Sequence, residues 1–245
     1  MPSGRPRAKM TEKPPRTTIL VAVYNEAPTL PRVIRNLEKL RPSCPVIAVD
    51  DGSTDGSGRI LALHSGPNFR VLRHPRNMGK GAAIRTALGA ARTGFVLIHD
   101  ADLETDSKDI PRLLGAASRH PGHAIFGTRF PRGRVRGRVP LLTRMVNILL
   151  TRVTNILFGS RLTDMACAFK LVPAAVLRRP PLKARRFDID AEITARLLLH
   201  GTPVTEIPVR YHPRSYRQGK KIHPLDGLRI LATLARLRLK SPPLK

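Results

Sequence analysis

Short apolar segments alternate with stretches of helical periodicity along most of the chain, and this alternation limits the fold more than any other feature. Thr17–Val23 is apolar and β-branched, residues 27–40 carry apolar side chains at helical spacing, and residues 46–49 are apolar again. Four further segments continue the alternation: residues 58–64, 70–72, 80–91 and 95–99. This order predicts an α/β fold with a doubly wound, mostly parallel sheet, whose ligands bind beyond the carboxyl ends of the strands.

Composition divides the chain into three predicted parts. Residues 1–16 are basic and proline-rich with little to bury, which predicts a disordered tail. Residues 17–225 form the predicted α/β domain, and residues 226–245 form a basic amphipathic helix with a short tail. The sequence shows no secretory signal and no transmembrane span, so we expect a cytoplasmic protein whose membrane contact is peripheral, at the inner face.

The charge balance is strongly basic, with 44 Lys and Arg residues against 17 acids and a net charge of +27. Such a surface favours polyanionic partners, including an anionic membrane surface, phosphorylated substrates and nucleic acid. The basic residues are spread along the chain, aromatic residues make up only 4%, and Trp is absent. These features disfavour base stacking, so we expect no nucleic-acid partner.

Carboxylates follow the first two predicted strands. The first loop reads Tyr24-Asn25-Glu26, and the second runs from Asp50 to Asp55. Glu26 and Asp51 are placed to accept hydrogen bonds from ribose hydroxyls and from the N–H of a base. For Asp55 we favour a capping role in the following turn.

The third loop, residues 77–81, opens a helix but is not a P-loop. His74 stands where that motif needs Gly, and Gly81 stands where it needs Ser or Thr. A helix N-terminus beside Lys80 remains, and it predicts a diphosphate contact of low specificity.

The fourth loop gives the most specific functional prediction in the sequence. A predicted strand at residues 95–99 leads directly into Asp100, Asp102 and Glu104. Three acids spaced by two at a strand exit can converge on one crevice, and hard oxygen ligands suit Mg²⁺ or Mn²⁺. The pattern therefore predicts a metal site at Asp100, Asp102 and Glu104 that would bridge two phosphates of a donor.

Taken in order, these motifs resemble the inverting GT-A glycosyltransferases of family 2, in particular the branch of dolichyl-phosphate mannose synthases and polyprenyl-phosphate glycosyltransferases. The resemblance covers roughly residues 17–226. Its later motifs are Gly127-Thr128-Arg129, Leu162-Thr163-Asp164, residues 187–192, Pro208-Val209-x-Tyr211-x-Pro213-Arg214 and Gly219-Lys220-Lys221.

The resemblance implies a hexosyltransferase that uses a nucleotide-sugar, of the GDP-mannose or UDP-glucose type, and a polyprenyl phosphate acceptor. The implied donor site comprises Ala22, Tyr24, Glu26, Asp51, Lys80, Asp100, Ala101 and Asp102. The implied acceptor-phosphate site comprises Arg129, Arg214, Lys220 and Lys221. Two positions depart from the family pattern, because Ala22 stands where Pro is frequent and Glu104 stands where the dolichyl enzymes tend to have Gln.

The acceptor chemistry separates two mechanisms. A phosphate monoester is largely dianionic at pH 7 and needs no base, so Asp102, Arg129 and Arg214 would carry catalysis by charge neutralisation and positioning. In the alternative, a family 2 enzyme acting on a glycan or small-molecule hydroxyl, Asp164 or Asp188 would be the general base. Asp164 is equally interpretable as a structural turn residue.

Two helices are candidates for membrane contact. Residues 139–158 place Leu142, Met145, Leu149 and Ile156 on one helical face, opposite Asn147 and Thr151. This face predicts either packing against the core or contact with the acceptor lipid. Residues 226–240 form the basic amphipathic helix, which is of a kind that lies on anionic bilayers.

Overall fold

The computed structural model describes residues 14–40, 44–131, 139–214 and 224–241. The strands are β1 (Thr17–Val23), β2 (Val46–Asp50), β3 (Phe69–Arg73), β4 (Phe95–Asp100), β5 (Ala124–Thr128), β6 (Lys170–Pro173) and β7 (Val204–Pro208). The helices are α1 (Leu30–Glu38), α2 (Ser57–Leu63), α3 (Lys80–Ala90), α4 (Ile110–Arg119), α5 (Leu141–Phe158), α6 (Ala174–Arg178), α7 (Ile189–Leu199) and α8 (Pro224–Leu239). A 3₁₀ turn at Ser107–Asp109 precedes α4.

The strands form one seven-stranded sheet in the order β3-β2-β1-β4-β6-β5-β7. β1 pairs in parallel with β2 and β4, and the partners Val23–Asp50 and Ala22–Asp100 bring the carboxyl ends of these strands to one edge. β6 runs antiparallel to both β4 and β5, while β5 and β7 are parallel. The predicted doubly wound, mostly parallel sheet is confirmed, and β6 makes it a mixed one.

Alternate side chains of the central strands pack on opposite faces of the sheet. Leu20 and Ile98 belong to one buried cluster, whereas Ile19, Val21 and Leu97 belong to the other. Helices cover both faces, which is why these strands read as continuous apolar runs without polar alternation. The strands and helices predicted between residues 17 and 99 agree with the structure within a few residues. The largest shift is at α1, which begins at Leu30, three residues after the predicted start.

The apolar face of α5 points outward, so the core-packing interpretation of that face is wrong. Leu142, Met145, Leu149 and Ile156 are each more than half exposed. The opposite face packs inward and carries the buried Leu150 beside polar side chains: Thr151 Oγ1, for example, accepts a hydrogen bond from the Met165 N–H at 3.2 Å. By length and composition α5 is the one helix, within the described ranges, that meets the minimum for crossing a membrane. One such helix does not establish a span.

α8 packs on α5 and α7. Its Ile230 and Leu234 are buried in the same cluster as Leu20, while Arg229 and Arg236 are exposed. The predicted amphipathic helix is therefore present, but much of its apolar side is already covered by the domain. The division of the chain at residues 16 and 225 stays a prediction, and residues 1–13 of the expected tail lie outside the described residues.

Candidate active site

A cavity of about 660 Å³ opens at the edge where β1, β2 and β4 end. Every predicted site residue that the structure describes lines it: Ala22, Tyr24, Glu26, Asp51, Lys80, Asp100, Ala101, Asp102, Glu104, Arg129 and Arg214. The remaining two, Lys220 and Lys221, lie outside the described residues. Residues predicted from separate motifs therefore meet in one crevice, because the sheet order brings their strand ends together.

Asp51 is buried and fastens the second loop to the third. It accepts hydrogen bonds from the backbone N–H groups of Met78 and Gly79 at 2.9 and 2.8 Å, and it lies 2.6 Å from His74 Nδ1. Gly79 has a φ of +95°, and a Cβ there would collide with the carbonyl of Arg185. In the sequence, His74 stood out only as a mismatch to the P-loop motif, and its contact with Asp51 was not predicted.

Asp55 takes the local role that the sequence favoured for it. Its carboxylate accepts hydrogen bonds from the Ala27 N–H at 2.8 Å and from the Ser57 N–H and hydroxyl at 3.0 and 2.6 Å. Asp50 likewise accepts the Ser53 N–H at 2.9 Å. These bonds tie the first and second loops together and hold Glu26 and Asp51 at the cavity wall.

Two lysines and two aspartates form a charged network at the wall of the cavity, which Lys80, Asp100 and Asp190 line. Lys80 Nζ, at the start of α3, lies 2.9 Å from Asp100 and 3.1 Å from Asp190, and Lys170 Nζ lies 3.4 Å from the other oxygen of Asp190. Burial opposes the charge of Asp190, but Lys80 and Lys170 outweigh it and lower the pKa of that carboxyl. Lys170 was not predicted from the sequence, since a lone lysine in a strand carries no motif. Asp190 lies inside the 187–192 motif of the family resemblance, but no role was assigned to it.

The three acids of the fourth loop line one crevice as predicted, but they are not grouped as three ligands of one metal. Leu103 adopts a φ of 60°, and the Glu104 N–H donates a hydrogen bond to Asp102 at 2.9 Å, so the chain turns after Asp102. Glu104 instead accepts hydrogen bonds from the Tyr211 hydroxyl at 3.0 Å and the Arg214 N–H at 2.9 Å. In the parts of the chain that the structure describes, no three His, Cys, Asp or Glu side chains are grouped to hold a metal.

Asp100 and Asp102 nevertheless fit a divalent cation. Both line the cavity, and their oxygen ligands are of the kind that Mg²⁺ and Mn²⁺ prefer. Burial, together with the charges of Asp100 and Glu104, raises the pKa of Asp102 to about 7. Arg214 lies 3.9 Å from Asp102 but is already paired with Glu26, and Lys80 is shared between Asp100 and Asp190. Negative charge is therefore in excess at Asp100 and Asp102. A bound cation would relieve that excess.

Arg214 and Glu26 face each other across the cavity. The guanidinium donates two hydrogen bonds of 2.9 Å to the two carboxylate oxygens, a forked ion pair. The resemblance assigned Glu26 to the nucleoside and Arg214 to the acceptor phosphate, and the structure brings the two into direct contact. The predicted donor and acceptor sites are therefore adjacent.

Arg129 is held by Asp164 beneath the cavity. Its guanidinium donates hydrogen bonds to the two Asp164 oxygens at 2.7 and 2.8 Å. The Cζ atom of Arg129 lies 5.0 Å from the centre of the Tyr211 ring. Asp164 is fully buried and is not among the cavity-lining residues. Asp188 accepts the Arg186 N–H at 3.0 Å and lies 3.4 Å from the Thr233 hydroxyl. These contacts give both acids structural partners and favour the base-free mechanism.

The cavity continues from the acids into an apolar part between α5 and α8. Leu142, Val146 and Leu150 of α5 line it on one side, and Ile230 of α8 lines it on the other. The outward face of α5 adjoins this part through Leu142 and Val146, which are both exposed and cavity-lining. The polar part of the cavity, which holds the acids, and the apolar part between α5 and α8 thus belong to one cavity.

A search against protein families matches the sequence model of Glycosyl transferase family 2 to residues 18–192. The chain belongs to glycosyltransferase family 2. The matched residues include the first four loops and the Lys80–Asp190 network. The family 2 resemblance is thus confirmed, and the chain is a glycosyltransferase.

Curated relatives include polyprenyl-phosphate sugar transferases. A polyprenol monophosphomannose synthase of Mycolicibacterium smegmatis is 28% identical over 211 residues, covering 81% of this chain and 78% of that protein. An undecaprenyl-phosphate mannosyltransferase of Micrococcus luteus is 26% identical over 213 residues, covering 84% and 87%. A dodecaprenyl-phosphate galacturonate synthase of Rhizobium johnstonii is 27% identical over 214 residues, covering 83% of this chain but 61% of that protein.

Solved structures share the GT-A fold. Glucosyl-3-phosphoglycerate synthase from Mycobacterium tuberculosis in complex with UDP has a TM-score of 0.68 at 23% identity, covering 98% of this chain and 88% of that one. The same enzyme with Mn²⁺, UDP-glucose and phosphoglyceric acid has a TM-score of 0.70 at 19% identity, covering 98% and 87%. At these identities the likeness establishes the fold alone.

Proposed function

We propose that this family 2 enzyme is an inverting hexosyltransferase that moves a sugar from a GDP-mannose- or UDP-glucose-type donor to a polyprenyl or dolichyl phosphate, with a divalent metal. The observation that carries this proposal is the composition of the cavity. It unites a crevice of carboxylates, the guanidinium groups of Arg129 and Arg214, and an apolar part that opens onto the exposed face of α5. Relatives named as polyprenyl-phosphate transferases support the same acceptor class.

On the donor side, Ala22, Tyr24, Glu26 and Asp51 would bind the nucleoside, and Lys80 would contact the diphosphate. Asp100 and Asp102 would hold Mg²⁺ or Mn²⁺, which when bound stabilises charge on the departing nucleoside diphosphate. The neighbours crystallised with Mn²⁺ support a metal. Because Glu104 is already bonded to Tyr211 and Arg214, we assign it to the acceptor segment and do not retain it as a ligand.

On the acceptor side, the lipid phosphate attacks without a base. A phosphate oxygen bonds to the anomeric carbon as the bond from that carbon to the donor phosphate breaks, and the configuration inverts. Arg214 neutralises the attacking phosphate after exchanging its Glu26 partner for a phosphate oxygen. Arg129 is pre-oriented by Asp164, so little conformational freedom is lost when the acceptor binds.

We further propose a cytoplasmic enzyme that is peripherally bound at the inner face of an anionic membrane. The exposed apolar face of α5 supports this location more directly than α8 does, since Ile230 and Leu234 of α8 are packed inside. A lipid tail could then stay in the bilayer while its phosphate reaches Arg214.

The competing candidate is transfer to a soluble or glycan hydroxyl. It is favoured by the fold likeness to enzymes solved with phosphoglyceric acid, a small-molecule acceptor. It needs a base, and the contacts of Asp164 and Asp188 leave neither of them facing the cavity. We therefore rank lipid phosphate first.

The test is transfer from radiolabelled UDP- and GDP-sugars to polyprenyl phosphate with Mn²⁺ or EDTA. We expect label in the organic phase that disappears with EDTA and in the Asp102→Ala variant. The matched control is Asp106→Ala, which removes an acid of the same loop that lies outside the cavity. If donor hydrolysis requires metal but no sugar labels the lipid, the proposed acceptor is wrong and the hydroxyl acceptors are tested next.

A further inference from the structure

We infer that Asp190 is a positioning residue that controls divalent-cation binding at Asp100 by offering Lys80 a second carboxylate. The inference rests on the proposed metal-dependent function and assigns a task to a residue that the sequence analysis left without a role. Asp190 need not touch the cation. It acts through the side chain of Lys80.

Lys80 Nζ lies between two carboxylates at nearly equal distances. It is 2.9 Å from Asp100 Oδ1 and 3.1 Å from Asp190 Oδ2. The four-carbon side chain lines the cavity, so the ammonium group can shift between these partners by small torsional changes. The ammonium group of Lys80 is thus paired with Asp100, a carboxylate that would also bind the metal ion.

Asp190, in contrast, has a second lysine partner, Lys170. Its second oxygen lies 3.4 Å from Lys170 Nζ, and Lys170 is fully buried. Lys170 donates to the Cys167 carbonyl at 2.5 Å and lies 5.1 Å from the centre of the Phe126 ring. These contacts hold Lys170 in the core, so Asp190 keeps its counter-charge whichever way Lys80 turns.

Charge then determines how a divalent cation can bind. A cation at Asp100 repels the Lys80 ammonium, and that ammonium lies in a mostly buried place where losing its partner is costly. Asp190 removes this cost because Lys80 stays paired when it releases Asp100. Without Asp190, Lys80 has Asp100 as its near carboxylate and competes with the cation for it.

The test measures Mn²⁺ binding to the full chain by the EPR signal of free Mn²⁺, without a sugar donor. We expect Asp190→Asn to raise the Mn²⁺ dissociation constant roughly tenfold or more, the range seen when groups behind metal ligands are removed. Asp190→Glu should recover much of the affinity. Lys80→Met should bind Mn²⁺ more tightly than wild type, because the competing ammonium is gone.

The double variant Lys80→Met/Asp190→Asn separates this role from a structural one. If Asp190 acts through Lys80, adding Asp190→Asn to Lys80→Met changes the dissociation constant by less than about threefold, the coupling that a double-mutant cycle detects. The matched control is Asp188→Asn, which removes the same charge near the start of α7 without contact to Lys80. Circular dichroism on each variant confirms folding.

Two results would overturn the inference. Unchanged Mn²⁺ affinity in folded Asp190→Asn would exclude control by Asp190, as would an equal loss in the Lys80→Met background. Both results leave the proposed transferase function intact. If wild-type protein leaves all the Mn²⁺ free, the metal part of the proposed function fails together with this inference.

Discussion

The outward face of α5 makes a quantitative prediction about membrane binding. Leu141 and Leu149 are 71% and 55% exposed, and neither lines the cavity. They lie eight residues apart on one side of the helix, so a flat bilayer surface can reach both. The perturbation is the double substitution Leu141→Ser with Leu149→Ser, which removes apolar area without disturbing the core.

The expected loss follows from the exposed fractions. Burying a fully exposed leucine side chain contributes about 1.5–3 kcal/mol. Scaled by the exposure of the two residues, immersion of both is worth about 2–4 kcal/mol, so partitioning into vesicles should weaken roughly 30- to 700-fold. Because both side chains are exposed, the free energy of unfolding should stay within about 0.5 kcal/mol of wild type.

The assay is co-sedimentation with vesicles that contain phosphatidylglycerol, at low salt and over a range of lipid concentrations. The matched control is Leu63→Ser, since Leu63 is 85% exposed on α2, away from the cavity. Leu63→Ser should partition like wild type. Equal binding of wild type and the α5 variant would show that this face does not enter the bilayer, and absence of wild-type binding would refute peripheral attachment itself.

Two further predictions concern buried groups. Asp164→Asn should lower the free energy of unfolding by about 3 kcal/mol or more in a urea titration, because it leaves Arg129 as an unpaired buried cation; a variant of wild-type stability that has lost transfer would instead support a catalytic base. Burial, together with Asp164, raises the pKa of the Cys167 thiol to about 12, and burial also raises that of Cys44. Since only the thiolate reacts, we expect both to resist a thiol reagent at pH 8 until urea unfolds the chain, and rapid labelling of native protein would contradict their burial.

Much of the site was predictable because its residues follow strand ends in order. Glu26, Asp51 and Asp100 each lie at the carboxyl end of an apolar strand or within three residues of it, and the rules of parallel sheets place such ends side by side. The partners of Glu104 were not predictable in this way. Glu104 lines the same cavity as Asp100 and Asp102, but one of its oxygens accepts a hydrogen bond from the hydroxyl of Tyr211, which lies 107 positions away in the chain.

Local sequence thus determined the strands, the helices and the loops that carry the chemistry, because periodicity and turn residues act over a few positions. Only the tertiary structure decided which partners those residues meet. Arg214 pairs with Glu26 across 188 positions, and Lys80 pairs with Asp190 across 110. The outward apolar face of α5 was decided in the same way. Periodicity shows that a helix has two faces, but which one is buried depends on distant groups, such as the Met165 N–H that binds Thr151.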